Sequence, residues 1–175
     1  MIQRLRKVSF ARWCEAIFNG VITYLPSLLF NSFKLWWLRL AGACIQQSVR
    51  ISSRVKVLGP PRLTIEENVS VANRVVLDAR GGLTLGRGAL IGFESVLLTY
   101  THKSEDLSIP VHWQGVISGQ IVIGANSWIG ARCIVLPGVR VGDSVILGAM
   151  SVASRDISDG VVAAGIPARE LRERG

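Results

Sequence analysis

Between Ile121 and Ile157, apolar residues return at every sixth position: Ile123, Ile129, Val135, Val141, Leu147 and Ala153. Four residues after these marks stand Ser127, Cys133, Val139, Val145, Ser151 and Ile157, most of them small or β-branched, and Gly follows the mark at 124, 130, 142 and 148. A period of six fits neither the helix, at 3.6, nor the strand, at 2. It belongs to a repeat whose units stack. Each hexapeptide supplies one short flat strand and one corner, so three units close a triangular coil. The first residue of a unit points into the prism. The fifth sits inside a corner that admits only a small or branched side chain. The glycine after each mark is expected to let the backbone take the turn, and backbone hydrogen bonds are expected to run from coil to coil. The pattern predicts an all-β solenoid.

The same count extends upstream through Ile51 and Val57. After a two-residue slip it passes through Ile65, Val71 and Leu77, and after a second slip at Gly81-Gly82 through Leu85, Ile91 and Leu97. About fourteen windows between 51 and 157 predict four to five coils. The pattern lapses after Leu98 and resumes at Ile121. The intervening residues 99–120 hold both histidines, His102 and His112, together with Lys103, Glu105, Asp106 and Trp113. A long excursion from a regular scaffold is usually functional or disordered, and the histidines favour function. Ahead of the repeat, Ile2 to Phe18 reads as a helix broken by Asn19-Gly20. Pro26 and Ser27 open a second helix that reaches about Leu40. The expected division is a helical arm at 1–47 and a solenoid at 48–175, with the charged tail from Arg169 to Arg174 read as a short C-terminal helix.

Charge sharpens this division. The chain of 175 residues carries a formal charge of +8. Residues 1–50 hold Arg4, Arg6, Lys7, Arg12, Lys34, Arg39 and Arg50 against the single acid Glu15, so the basic character belongs to the arm. Trp13, Trp36 and Trp37 lie there too. The uncharged stretch between Glu15 and Lys34 is interrupted by Asn19, Gly20, Pro26 and Asn31, and falls short of the roughly 20 apolar residues that a membrane span needs. Lys34 and Arg39 also speak against a signal peptide or a lipoprotein site at Ala41-Gly42-Ala43-Cys44. Cations beside tryptophans and leucines suit a helix lying on an anionic leaflet; the plainer alternative is that the helices cap the end of the solenoid. Basic residues placed in an apolar arm, not along an open polar face, argue against a nucleic-acid partner. Cys14, Cys44 and Cys133 form neither a disulfide framework nor a CxxC pair. They fit a reducing cytoplasm, with Cys133 as a small core residue.

The segments LDARGGLTLG (77–86), LLTYTH (97–102), IVIGANSWIGARCIVLPGVRVG (121–142) and GAMSVASRDISDGVVAAGIPAR (148–169) resemble the hexapeptide-repeat acyltransferases. The similarity is greatest to the maltose, galactoside and polysaccharide O-acetyltransferase branch, and it spans about residues 51–172. The resemblance implies a left-handed parallel β-helix, a homotrimer with acetyl-CoA held between subunits, and no metal. It implies that His102, closing the TYTH segment, is the general base that removes a sugar hydroxyl proton; a neutral imidazole near pH 7 suits that task. A backbone N–H is then expected to meet the oxyanion. His112 does not match the base and is read as a loop or acceptor-contact residue. By the same similarity, Gly130, Ala131 and Ala149 line the pantetheine channel. Ser154 and Arg155 meet the arm and phosphates, and Arg169 and Arg172 approach the nucleotide end, where guanidinium suits phosphate.

The resemblance departs in two places. Lys103 follows the histidine where many relatives carry Asp, and Tyr100 replaces a smaller residue. Glu105 and Asp106 are candidates to orient the imidazole, though neither occupies the motif position. In the galactoside branch an Asn and an Asp bind the sugar. Asp78 matches the Asp, but Val71 stands near the Asn position, and Asn73 lies out of register. Asp78 and Arg80 either contact the acceptor or shape the Asp78-Ala79-Arg80-Gly81-Gly82 corner, and Tyr100 joins them as a candidate contact. The expected reaction is O-acetylation of a cell-surface polysaccharide or lipid-linked saccharide precursor, in the cytoplasm, with the arm peripheral on the inner membrane face. The alternatives are N-acetylation of an amino sugar or small amine, and a non-catalytic β-helix scaffold. A carbonic anhydrase of this fold needs three histidines, and the chain has two.

Overall fold

The structure, a computed structural model, describes residues 2–175, with side chains described from Phe10 onward. The side chains of Arg4, Arg6 and Lys7, assigned to the basic arm from sequence, lie outside the described residues. Helices α1 (Ile2–Gly20) and α2 (Ser27–Leu40) come first, joined through a 3-10 turn at Ile22–Tyr24. The first coil holds β1 (Cys44–Ile45), β2 (Arg50–Ile51) and β3 (Lys56–Leu58). The second holds β4 (Leu63–Ile65), β5 (Ser70–Val71) and β6 (Val76–Asp78). The third holds β7 (Leu83–Leu85), β8 (Leu90–Ile91) and β9 (Val96–Leu98). The chain then leaves the prism as β10 (Tyr100–His102) and returns as β11 (Val116–Ser118). Coil four follows with β12 (Ile121–Ile123), β13 (Trp128–Ile129) and β14 (Ile134–Val135). Coil five has β15 (Arg140–Val141), β16 (Ile146–Leu147) and β17 (Val152–Ala153). A terminal pair, β18 (Val161–Gly165) and β19 (Ala168–Glu173), closes the chain.

Strands stack in parallel register on three faces, β1-β4-β7-β12-β15, β2-β5-β8-β13-β16-β18 and β3-β6-β9-β14-β17, in a left-handed parallel β-helix. The sixfold marks form the core: Ile51, Val57, Ile65, Val71, Leu77, Leu85, Ile91, Leu97, Ile123, Ile129, Val135, Val141, Leu147 and Ala153 are all buried. Each large aliphatic side chain removed from water in this way contributes roughly 1.5–3 kcal/mol. Fifth-position serines satisfy the interior. The Ser95 hydroxyl donates to the Gly130 carbonyl (2.7 Å) and the Ser127 hydroxyl to that of Gly142 (2.7 Å). The first strand begins at Cys44, earlier than the expected 48, because the turn after α2 leads straight into pairing of Cys44–Ile45 with Thr64–Ile65.

The glycine after the mark has a different role from the one expected. The turn conformation falls two residues later, where Ser48, Arg54, Asn68, Arg74, Glu94, Asn126, Arg132, Ser144 and Met150 adopt positive φ. At Gly124, Gly130 and Gly142 the constraint is close approach between coils. A Cβ on Gly130 would lie 2.6 Å from the Ala149 nitrogen, and one on Gly142 would collide with Asp159.

The arm covers the open end of the first coil. Phe18, Ile22, Leu35 and Leu38 join the core cluster. Polar side chains of the arm replace the missing coil. Asn19 donates to the Val57 carbonyl (2.6 Å) and accepts from the Val57 N–H (2.9 Å). Asn31 bridges the Val49 carbonyl and the Ile51 N–H (2.8 and 2.9 Å). The Thr23 hydroxyl donates to the Val55 carbonyl (2.6 Å). Lys34 is wholly buried, with Nζ donating to the carbonyl of Ser52 (3.2 Å) and, at 3.4 Å, to that of Thr23; burial pushes its pKa down.

At the other end, the expected C-terminal helix is not formed. Residues 168–173 run as β19, antiparallel to β18 after a turn at Ile166-Pro167, with Ala164 opposite Arg169 and Val162 opposite Arg172. The last coil leaves β18 as a sheet edge, and pairing fills its open backbone groups, a gain that an isolated six-residue helix cannot match.

Candidate functional site

The chain leaves the prism at the corner between the third and first faces. Thr99 fastens that corner: its hydroxyl donates to the Asp78 carbonyl and accepts from the Gly81 N–H, each at 2.7 Å. β10 and β11 then pair antiparallel, Tyr100 with Ser118 and His102 with Val116. His102 therefore stands at the tip of a two-stranded stem that springs from the buried Thr99, and its own side chain is exposed. The imidazole meets the Tyr100 ring edge to face, with centroids 5.9 Å apart. The Arg80 guanidinium lies over the same tyrosine ring, 4.1 Å from its centroid. Arg80 is in turn clamped by both oxygens of Asp78 (2.9 and 2.7 Å), a carboxylate 1% exposed. The hydrogen bonds to Asp78 raise the Arg80 pKa further. Asp78, Arg80, Tyr100 and His102 thus form one connected row, running from the buried corner to the exposed histidine. Asp78 holds Arg80 and also accepts the Arg80 N–H at 3.1 Å.

The two candidate orienting acids are engaged elsewhere. Asp106 accepts from both the N–H and the hydroxyl of Ser108, bonds that lower its pKa. Glu105 accepts from the Ser104 N–H at 3.2 Å. His112 sits in a separate turn of 3-10 helix at Val111–Trp113, with its ring against Trp113, apart from the row that carries His102.

The residues expected to hold the thioester divide between two corners. Gly130 and Ala131, on coil four, lie directly beneath Ala149 on coil five, at the corner between the second and third faces. Gly130 accepts Ser95, Gly130 N–H donates to the Leu147 carbonyl and Ala131 accepts the Met150 N–H. The strip continues to Gly92, where a Cβ would meet Ala131 and Gly130 backbone at 2.7 and 2.6 Å. Arg169 and Arg172 lie on β19, at the edge of the sheet that flanks this strip, exposed to solvent. Ser154 and Arg155 follow β17 and occupy the other corner, the one from which His102 emerges. Sequence reasoning did not find the roles of Thr99 and Ser95. Ser95 had a signal, its fifth position; the Thr99 bonds join coils and leave no local trace. Among the described residues no group of three or more His, Cys, Asp or Glu is placed to hold a metal ion.

Residues 120–154 match the bacterial transferase hexapeptide (six repeats) family. A protein of Escherichia coli K12 named as a colanic acid biosynthesis acetyltransferase is 31% identical over 159 residues, covering 91% of this chain and 84% of that one. The galactoside O-acetyltransferase of the same organism is 38% identical over 128 residues, 63% of each chain. Among solved structures, a galactoside acetyltransferase in complex with coenzyme A superposes with a TM-score of 0.75 at 24% identity, covering 97% of this chain and 82% of the other.

Proposed function

The chain belongs to the hexapeptide-repeat acetyltransferases, and from that premise we propose that it moves an acetyl group from acetyl-CoA to a sugar hydroxyl, with His102 as the general base. It is an acyltransferase; the base, the acceptor and the assembly are our reading. The observation that carries the reading is a histidine held out on a paired stem beside a fixed Tyr100–Arg80–Asp78 row. A base must meet its proton at hydrogen-bonding distance from a fixed position, and such a stem provides that position.

In the proposed reaction the imidazole takes the hydroxyl proton as the sugar oxygen attacks the thioester carbonyl. A tetrahedral oxyanion forms and is stabilised by a backbone N–H. It collapses with cleavage of the C–S bond, and the imidazolium returns its proton to the departing thiolate. The products are CoA thiol and an O-acetyl sugar. The strip of Gly92, Gly130, Ala131 and Ala149 suits a pantetheine arm because it lacks side chains that would hold the arm off the backbone. Arg169 and Arg172 are suited to phosphates at its end.

His102 and that strip occupy different corners of one prism. A site using both is completed when the corner of one copy faces that of another, which supports a homotrimer in which copies share each site. The exposed excursion, with Leu107 99% exposed and Trp113 70%, offers an apolar contact for a neighbouring copy. The arm has an equally bare outer side. Phe10, Trp13, Leu28, Leu29, Phe33 and Trp36 are exposed, and so is the basic Arg12. This supports peripheral contact with an anionic membrane surface. No helix among the described residues is long and apolar enough to cross a membrane.

The acceptor chemistry is tested by offering hexoses and amino-hexoses with labelled acetyl-CoA and treating the products with mild alkali. Alkali-labile label on hydroxyl acceptors is expected. Label that resists alkali and appears only on amines would replace this reading with N-acetylation.

A further inference from the structure

A groove of about 650 Å³ opens between α1 and the corner below the histidine stem, lined by Arg12 and Glu15 of α1, Gly59 and Arg62 of the first coil, and Arg80 of the second. Three guanidiniums border it. Arg62 donates to the Arg80 carbonyl at 2.9 Å, which steadies its head while leaving its other donors to the groove. Arg12 is exposed and has no acidic partner within ion-pair distance among the described residues. Glu15 also lines the groove; one oxygen of its carboxylate accepts the Gly59 N–H at 3.0 Å, and its charge acts on Arg80. Asp78 lies behind Arg80 and is closed off by it. The groove wall therefore offers the guanidinium N–H donors of three arginines against one lining carboxylate, Glu15, since both oxygens of Asp78 are taken by Arg80. Arg80 belongs both to this wall and to the row that ends at His102, so the groove adjoins that row.

We propose that this groove is an acceptor subsite for a phosphate or diphosphate ester, so that the sugar acetylated at His102 is a glycosyl phosphate or diphosphate and not a free sugar. The inference rests on the acetyl-transfer reading above. Forked guanidinium donors match phosphate oxygens two at a time, and a sugar ring has to reach only from the groove to the tyrosine-backed imidazole. The same wall disfavours a cationic amine acceptor. The shared chemistry is the phosphoester; its carrier is either a soluble nucleotide or a polyprenyl lipid.

The test compares wild type with Arg12→Gln and Arg62→Gln, using free hexose, a UDP-hexose and a detergent-solubilised polyprenyl-diphosphate hexose as acceptors. Binding of inorganic pyrophosphate is measured in parallel by calorimetry. Wild type is expected to prefer a phosphorylated acceptor, and pyrophosphate to compete with the acceptor but not with acetyl-CoA. Each substitution is expected to reduce that preference about tenfold and to weaken pyrophosphate binding, in line with loss of a charged hydrogen bond. Turnover of only the nucleotide sugar, or of only the lipid-borne sugar, identifies the carrier. Equal use of free and phosphorylated hexose, or variants that bind pyrophosphate as wild type does, would overturn the proposal while leaving acetyl transfer intact. Absence of CoA release with every acceptor would instead remove the reading on which it rests.

Discussion

At the scale of the residue, side chains of the arm complete the hydrogen bonding of the first coil. Asn19 lies within α1 and pairs with Val57 in the manner of a neighbouring strand, although in the sequence it reads as a helix breaker. No local pattern announces a partner 38 residues away. Asn19→Ala leaves a backbone N–H and a carbonyl without partners, so a loss of about 2–4 kcal/mol in denaturant unfolding is expected. Lys34 makes a prediction in pH. Its folded-state pKa is lowered by burial, so the unfolded chain holds the proton more tightly. Stability then rises with pH between the lowered value and the ordinary lysine value. Lys34→Met is expected to flatten that rise, followed as unfolding midpoints across alkaline pH. His102 was singled out by the motif it closes. Its contacts with Tyr100, and through Tyr100 with Arg80 and Asp78, were not, because they depend on how far the stem projects from the corner.

At the scale of the element, the coil was the most legible feature, since period and burial follow from one geometric rule. The marks at 123, 129, 135, 141, 147 and 153 all point inward. The glycines expose the limit of that reading, for one residue type serves two constraints. Gly142→Ala pushes a methyl into Asp159 of the next turn and is expected to cost about 1–3 kcal/mol through overpacking. Gly138→Ala meets nothing within 4 Å but sits at φ +84, so a smaller penalty from backbone strain, about 1–2 kcal/mol, is expected. Gly138→Asn should recover part of it, because Asn tolerates this region. Thermal unfolding of the three variants separates the two causes. The C-terminal strand was misread for a related reason. The charged residues 169–174 suit a helix in isolation, but the partner that decides their conformation, the edge strand β18, is made by the fold.

At the scale of the whole molecule, the arrangement has two caps and one interruption. The arm closes the first coil, the β18–β19 pair closes the last, and the excursion leaves from a corner pinned by Thr99. The separation of His102 from the Gly130–Ala149 strip leads to the expectation of a particle three times the 19.0 kDa chain mass by sedimentation; a monomer would leave the two halves of the site apart. The outer face of the arm predicts cosedimentation with anionic vesicles that weakens with salt and on joint Trp13→Ala and Trp36→Ala substitution. Deleting the arm is the wrong test, because it would uncover the first coil. At this scale the sixfold period made the solenoid legible. Which corner each site residue occupies required the register of the coils.

Acetyl transfer through His102 is tested most directly by one comparison of wild type with His102→Ala, reading acetyl-CoA binding by calorimetry and CoA release in the presence of a saccharide acceptor. Both proteins are expected to bind acetyl-CoA alike, with release in the variant slowed roughly 10²–10⁴-fold, the usual worth of a general base. A variant that releases CoA at the wild-type rate, or a wild type that does not bind acetyl-CoA, would contradict the account.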